Sequence, residues 1–124
     1  MSNDPANPSA RKGELRMNVE HRGPVAVVKL AGSAHMDVTS KLRDQLVGIV
    51  DEKTSDLVLD LADLDFINSV GLGAIIAAYL RCRRRNGGVK VVAPKPAIQE
   101  ILTVTKLTSL FPVHPSVDAA LASN

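Results

Sequence analysis

Short apolar runs alternate with helical stripes along this chain, and that alternation limits its fold more than any other feature. Leu57-Val58-Leu59-Asp60-Leu61 is nearly continuous apolar sequence, which suits a central strand covered on both faces. Leu72, Ile75, Ile76, Tyr79 and Leu80 then recur with helical spacing and predict one buried helix face. Asn86-Gly87-Gly88 ends that helix, and Val89-Lys90-Val91-Val92-Ala93 is the next strand, stopped by Pro94. Strands that alternate with helices predict α/β layers around a mainly parallel sheet.

The flanking segments extend the pattern. Residues 1–16 carry Pro5, Pro8, Gly13 and several Asn and Ser without periodicity, and read as a disordered leader; residues 17–124 read as a single domain. Met17 to Glu20 and Val25 to Leu30 form a hairpin across the turn signal His21-Arg22-Gly23-Pro24. Gly32-Ser33-Ala34-His35-Met36 reads as a loop. A helix is expected from Asp37 to Glu52, with Val38, Leu42, Leu46, Ile49 and Val50 on one face. Pro96 to Lys106 reads as another helix, with Pro96 in its first turn and Ile98, Ile101, Leu102 and Thr105 on one face. Leu110 to Val113 is a last strand and Val117 to Leu121 a terminal helix.

Open α/β sheets place their sites at the C-terminal edge of the strands. The Gly32–Met36 and Asp65–Gly71 stretches both lie there. In the second, strand character gives way to an apolar helix at Asn68-Ser69-Val70-Gly71. Ser69 is thereby placed at or beside a helix N-terminus, where free N–H groups favour an anion and would favour a phosphate on its hydroxyl. The plainer role for a serine in that setting is the N-cap itself.

Composition removes several classes of function. Aromatics make up 2% of the 124 residues, too few for the stacking platforms of single-stranded nucleic-acid binding. The net charge is only +2. Arg81, Arg83, Arg84 and Arg85 account for it, and without them acidic residues outnumber basic ones. Cations closing a helix explain that cluster; a phosphate or nucleic-acid site is the other reading. The single cysteine, Cys82, excludes an internal disulfide and a multi-cysteine metal site. His21, His35 and His114 have no metal-ligand spacing, so no metal or cofactor is expected. Ile67 fills the first glycine position of a Gly-x-Ser-x-Gly elbow. Gly71-Leu72-Gly73 lacks the third glycine of a dinucleotide loop. A Ser69–His35 pair across the loop edge has no oxyanion or third-member signature with it. The chain reads as a non-enzyme. No signal peptide or apolar run of membrane-spanning length is visible, which predicts a cytoplasmic protein.

The segment Phe66-Ile67-Asn68-Ser69-Val70-Gly71-Leu72-Gly73, with Gly87-Gly88-Val89-Lys90-Val91-Val92, Ile101 to Leu107 and Leu110-Phe111-Pro112-Val113, resembles the STAS domain. More narrowly it resembles bacterial anti-sigma factor antagonists. The resemblance covers roughly residues 17–122 and implies a STAS-like α/β fold: a mixed, mostly parallel sheet of about four to five strands, an N-terminal hairpin and about four helices. It further implies that an anti-sigma factor with serine kinase activity is the partner. The partner would phosphorylate Ser69, which occupies the family's target position in an Asp-Ser-Ser-Gly-like motif. The unmodified form would hold the anti-sigma factor, phosphorylation would release it, and a phosphatase would reset the switch. Asn68, Ser69, Val70, Gly71, His35 and Met36 would form the contact surface of a monomer or weak dimer. Asn68 stands where the family has Asp, Val70 where it has Ser or Ala, and His35 where it often has Asp. The alternative is a STAS scaffold that does not switch, in a signalling assembly or a membrane transport complex. Neither reading involves direct nucleic-acid binding or membrane insertion.

Overall fold

The computed structural model describes residues 15–34 and 36–123, with the side chains of 36–40 outside that description. β1 (Arg16–Arg22) and β2 (Val25–Ala34) form an antiparallel hairpin. Gly23, at φ +61°, supplies the positive φ at the first position of its two-residue loop, and Pro24 holds the second. α1 (Met36–Ile49), β3 (Asp56–Ile67), α2 (Ser69–Arg84), β4 (Val89–Val92) and α3 (Pro96–Val104) follow. A short 3₁₀ turn (Leu107–Ser109), β5 (Val113–His114) and α4 (Val117–Ala122) complete the chain. The five strands lie in sequence order, with β2 to β5 parallel.

The two faces of the sheet carry different cores. Leu57, Leu59 and Leu61 alternate with Val58 along β3, as period-two geometry requires. The leucines join Val28, Leu42, Leu46, Ile75 and Leu102 in the main core under α1, α2 and α3. Val58 joins Val27, Val92 and Ala120 in a smaller core under α4. Phe111 is fully buried and meets Tyr79 edge-on, with ring centroids 5.4 Å apart; this contact ties the segment before β5 to α2.

Several boundaries differ from the sequence expectation. Gly32-Ser33-Ala34 is strand, not loop. Gly32 sits at φ +96° where the register slips: β3 carries one extra residue between Asp60 and Asp63 and another between Leu64 and Phe66, so the bulges lie in β3, opposite this stretch of β2. β3 runs six residues past Leu61 to Ile67, because Asp63 and Asp65 face solvent while Leu64 and Ile67 stay buried. α1 stops at Ile49 rather than Glu52. There Asp51 Oδ1 accepts the N–H groups of Lys53 and Thr54 at 2.9 and 3.0 Å, an Asx turn that competes with helix. α3 ends at Val104, with Thr105 exposed at its C-cap and Lys106 left-handed, so Thr105 is not on the buried face. The last strand begins at Val113 instead of Leu110.

α2 ends as expected at Asn86-Gly87. Asn86 adopts φ 64°, Gly87 N–H donates to Cys82 O at 2.8 Å and Asn86 N–H to Arg83 O at 3.1 Å, the paired bonds of a Schellman cap.

Candidate functional site

The site is built where β3 turns into α2. Pairing of Ala34 with Ile67 sets the β2–α1 junction beside the β3–α2 junction, so the two stretches singled out in the sequence converge at one sheet edge. His35 lies outside the described residues. Met36 is the first residue of α1, and its side chain lies outside them too.

One residue makes the turn. Asn68 is extended (φ −94°, ψ 179°) and is the N-cap of α2. Its Oδ1 accepts the N–H of Gly71 at 2.8 Å, while its carbonyl takes the N–H of Leu72 at 3.0 Å. Asparagine and serine cap helices about equally well, and here the asparagine holds the place. Ser69 is therefore not the cap but the first helical residue. It is exposed, and its hydroxyl bonds to no described residue.

Gly71 is buried behind the cap. A Cβ there would stand 2.6 Å from Ile67 Cγ1, so only glycine lets α2 close onto the end of β3. Gly71 thus supports the site from beneath and offers little surface of its own.

Val70 is 45% exposed and Phe66 43%; the two flank Ser69 in sequence and leave apolar surface beside it. Val70 is therefore not a filler of the core. Leu80, expected on the buried stripe, is 52% exposed. From Ser69 to Leu80, α2 carries no charged residue, although Ser69, Val70, Gly73 and Leu80 all face solvent. A solvated helix face ordinarily carries charge, and this one carries none. The missing charges were visible in the sequence, but the aliphatic spacing assigned Leu80 to the core.

The electrostatics favour an anion at Ser69. No acidic side chain occupies the first turn of α2, and its sixteen residues point the positive end of the helix dipole at that turn. Asp65, four positions upstream, is ion-paired to Lys95 at the start of α3. The arginine cluster lies at the opposite end of the helix and is divided among separate tasks. Arg81 Nε donates to Val50 O at 2.7 Å. Arg83 lies 5.9 Å from the Tyr79 ring centroid. Arg84 and Arg85 line a surface hollow with Asp51 and Glu52.

Among the described residues, no cluster of His, Cys, Asp and Glu could hold a metal ion, and no helix is long and apolar enough to cross a membrane. What the geometry does leave at this edge is the exposed hydroxyl of Ser69 beside the apolar surface of Val70 and Phe66. The sequence profile of the STAS domain matches residues 16–120. The chain belongs to the STAS domain family. An anti-sigma F factor antagonist of Paenibacillus polymyxa is 26% identical over 108 residues, covering 86% of this chain and 92% of that protein. The crystal structure of an anti-sigma factor antagonist from Mycobacterium paratuberculosis is similar at TM-score 0.79 and 30% identity, covering 91% of this STAS chain and 96% of that one. The Bacillus cell fate determinant SpoIIAA in its phosphorylated form matches at TM-score 0.70 and 15% identity, covering 86% and 98% of the two chains, a likeness of fold. The STAS fold is thus shown here as a five-stranded mixed sheet with an N-terminal hairpin and four α-helices among the described residues. Anti-sigma factor antagonists, the branch of the family these relatives represent, are regulators and not enzymes.

Proposed function

We propose that this STAS protein is an anti-sigma factor antagonist controlled by phosphorylation of Ser69. In its unmodified state it holds an anti-sigma factor against the start of α2; a serine kinase activity of that partner modifies Ser69, and a phosphatase restores it. The carrying observation is that Asn68 takes the N-cap, which leaves the exposed Ser69 hydroxyl unengaged by any described residue. That SpoIIAA, a protein of the same fold, exists in a phosphorylated form supports the same reading.

The mechanism follows from charge. Phosphate adds about −1.5 to −2 charges at neutral pH. At the N-terminus of α2 the domain tolerates it, because the helix dipole and the free N–H groups there are complementary to an anion. A partner packed over Val70 and the uncharged face of α2 does not tolerate it, because the dianion would be desolvated without an opposing charge. The switch acts on the interface and leaves the fold unchanged.

Phosphopeptide mapping after incubation with the co-purifying kinase tests the assignment, together with pull-downs by wild type, Ser69→Ala and Ser69→Asp. Ser69 is expected as the dominant site, with the partner retained by Ser69→Ala and weakened by Ser69→Asp. A dominant site elsewhere, such as Thr39 or Ser40, or equal capture by both variants, would sink the proposal. Ser33 is a poor competitor, being 8% exposed within β2.

A further inference from the structure

We infer that β1 is a self-pairing edge through which two copies of this chain join their sheets, in one register selected by Arg16 and Glu20. The two edges of the sheet are unequal. β5 is two residues long, whereas β1 is seven, and no backbone bond joins β1 to any described element other than β2. A long open edge is a template for another strand unless something blocks it.

The hairpin fixes which groups are free. Arg22 and Val25 flank the two-residue loop and form a hydrogen-bonded pair. Alternation along the ladder then turns the N–H and C=O groups of Arg16, Asn18, Glu20 and Arg22 towards β2, and those of Met17, Val19 and His21 outward. The side chains divide in the same way. Arg16, Asn18 and Glu20 are exposed on one face. Met17 and Val19 are half-buried against the main core on the other.

An antiparallel second copy must match outward groups to outward groups, which leaves few registers. With Val19 opposite its own copy, Arg16 would face Arg22 of the partner subunit. With Glu20 opposite its own copy, two carboxylates would meet. With Asn18 opposite its own copy, Arg16 faces Glu20 of the partner subunit and Glu20 faces the partner's Arg16, both in non-hydrogen-bonded positions where side chains approach most closely. On the other face, Met17 lies beside the partner's Val19 and closes the apolar margin of the core. Charge and apolar matching agree on this register alone. Glu20 also contacts Arg22 within its own strand at 3.3 Å, but both side chains are half-exposed or more, and such a contact competes weakly. The strand that fits this edge is therefore a second copy of this chain. β1 is separated by β2 from β3, whose end carries the Ser69 junction, so the pairing leaves that site open in each copy.

Sedimentation velocity of the full-length chain at low salt tests the inference. Wild type is expected to show a concentration-dependent dimer that weakens as salt rises. Arg16→Glu alone and Glu20→Arg alone each turn two attractive cross-strand pairs into repulsive ones, and each should raise the dimer Kd by about tenfold or more. Mixed together, these two variants should form a heterodimer, because Glu at position 16 of one then faces Arg at position 20 of the other. The double variant Arg16→Glu/Glu20→Arg should regain the homodimer. Circular dichroism shows that each variant stays folded. A wild type that remains monomeric to about 1 mM, a dimer indifferent to the single reversals, or a mixture that fails to pair would each overturn the inference. None of these readouts involves Ser69.

Discussion

Asn68 Oδ1 accepts the backbone N–H of Gly71 at 2.8 Å, and this bond separates the residue that starts α2 from the residue proposed to be modified. The consequence is measurable in stability. Asn68→Ala should cost about 1 kcal/mol, the usual loss for a side-chain cap. Ser69→Ala should change stability by less than about 0.5 kcal/mol, as expected at an exposed position without a partner. Asn68→Asp keeps an acceptor and adds a negative charge at the helix N-terminus, so it should stabilise by about 0.3–1 kcal/mol. Urea denaturation of the three variants checks the ranking. A larger loss for Ser69→Ala than for Asn68→Ala would return the cap to Ser69.

The two glycines of the α2 start should respond in opposite directions. A Cβ at Gly71 meets Ile67 Cγ1 at 2.6 Å, whereas one at Gly73 meets nothing within 4 Å. Gly71→Ala should therefore destabilise by about 1–3 kcal/mol through overpacking. Gly73→Ala should stabilise by about 0.5–1 kcal/mol, because alanine is the better helix former at an unstrained position. Thermal melts of the pair decide it; equal shifts of one sign would contradict the close packing of α2 on β3.

The layer order and most of the core were legible in the sequence because they rest on periodicity. Leu57, Leu59 and Leu61 read as strand, and Leu42, Leu46 and Val50 as one helix face, since burial of alternate or every-third-or-fourth residues leaves a direct imprint. The end of β3 was less legible. Asp63 and Asp65 disfavour strands on propensity, yet they face solvent on an element held in place by the buried Leu57, Leu59, Leu61, Leu64 and Ile67. Gly32 reads as a loop by the same local logic and is a strand residue of β2, opposite the bulged end of β3. At the site, the position of the helix start was legible but its cap was not, because Asn68 and Ser69 are equivalent on preference and only the geometry of the β3 exit separates them. Edge pairing of β1 required the register with β2, which no local pattern contains.

Cys82 makes the stability pH-dependent in alkali. Burial, with a smaller contribution from the Asp56 charge, pushes the thiol up to about 11 from the 9.0 of a free thiol. Its stabilising effect is complete below pH 9. Between about 9 and 11 the unfolded chain has lost a proton that the folded chain keeps, so stability falls as pH rises through that window. The loss should approach about 2 kcal/mol at its upper end. Urea titrations at pH 8.5 and 10.5, compared between wild type and Cys82→Ala, isolate this contribution from the lysines and the tyrosine. A pH dependence identical in both proteins would mean that the thiol ionises as freely in the fold as outside it. The same burial predicts that thiol reagents label Cys82 only as fast as the domain opens.

Val70 tests the interface without touching the modified residue. It is 45% exposed in the first turn of α2, so a charge there should cost the fold little. Glutamate at that position is favoured by the helix dipole and lysine is opposed by it, each by about 0.3–1 kcal/mol. Val70→Glu should thus melt at or slightly above the wild-type temperature, and Val70→Lys slightly below. Their effects on partner binding should run by a different rule. If an apolar partner surface packs over this turn, both variants lose affinity, because either charge is desolvated. If the surface is tuned to reject negative charge, as release by phosphorylation requires, Val70→Glu loses the larger share. Calorimetric affinities for the anti-sigma factor, measured beside the melts, separate these outcomes. Unchanged affinity in both variants would remove Val70 from the interface. Severe loss of stability in both would show that its buried half, and not its exposed half, governs the position.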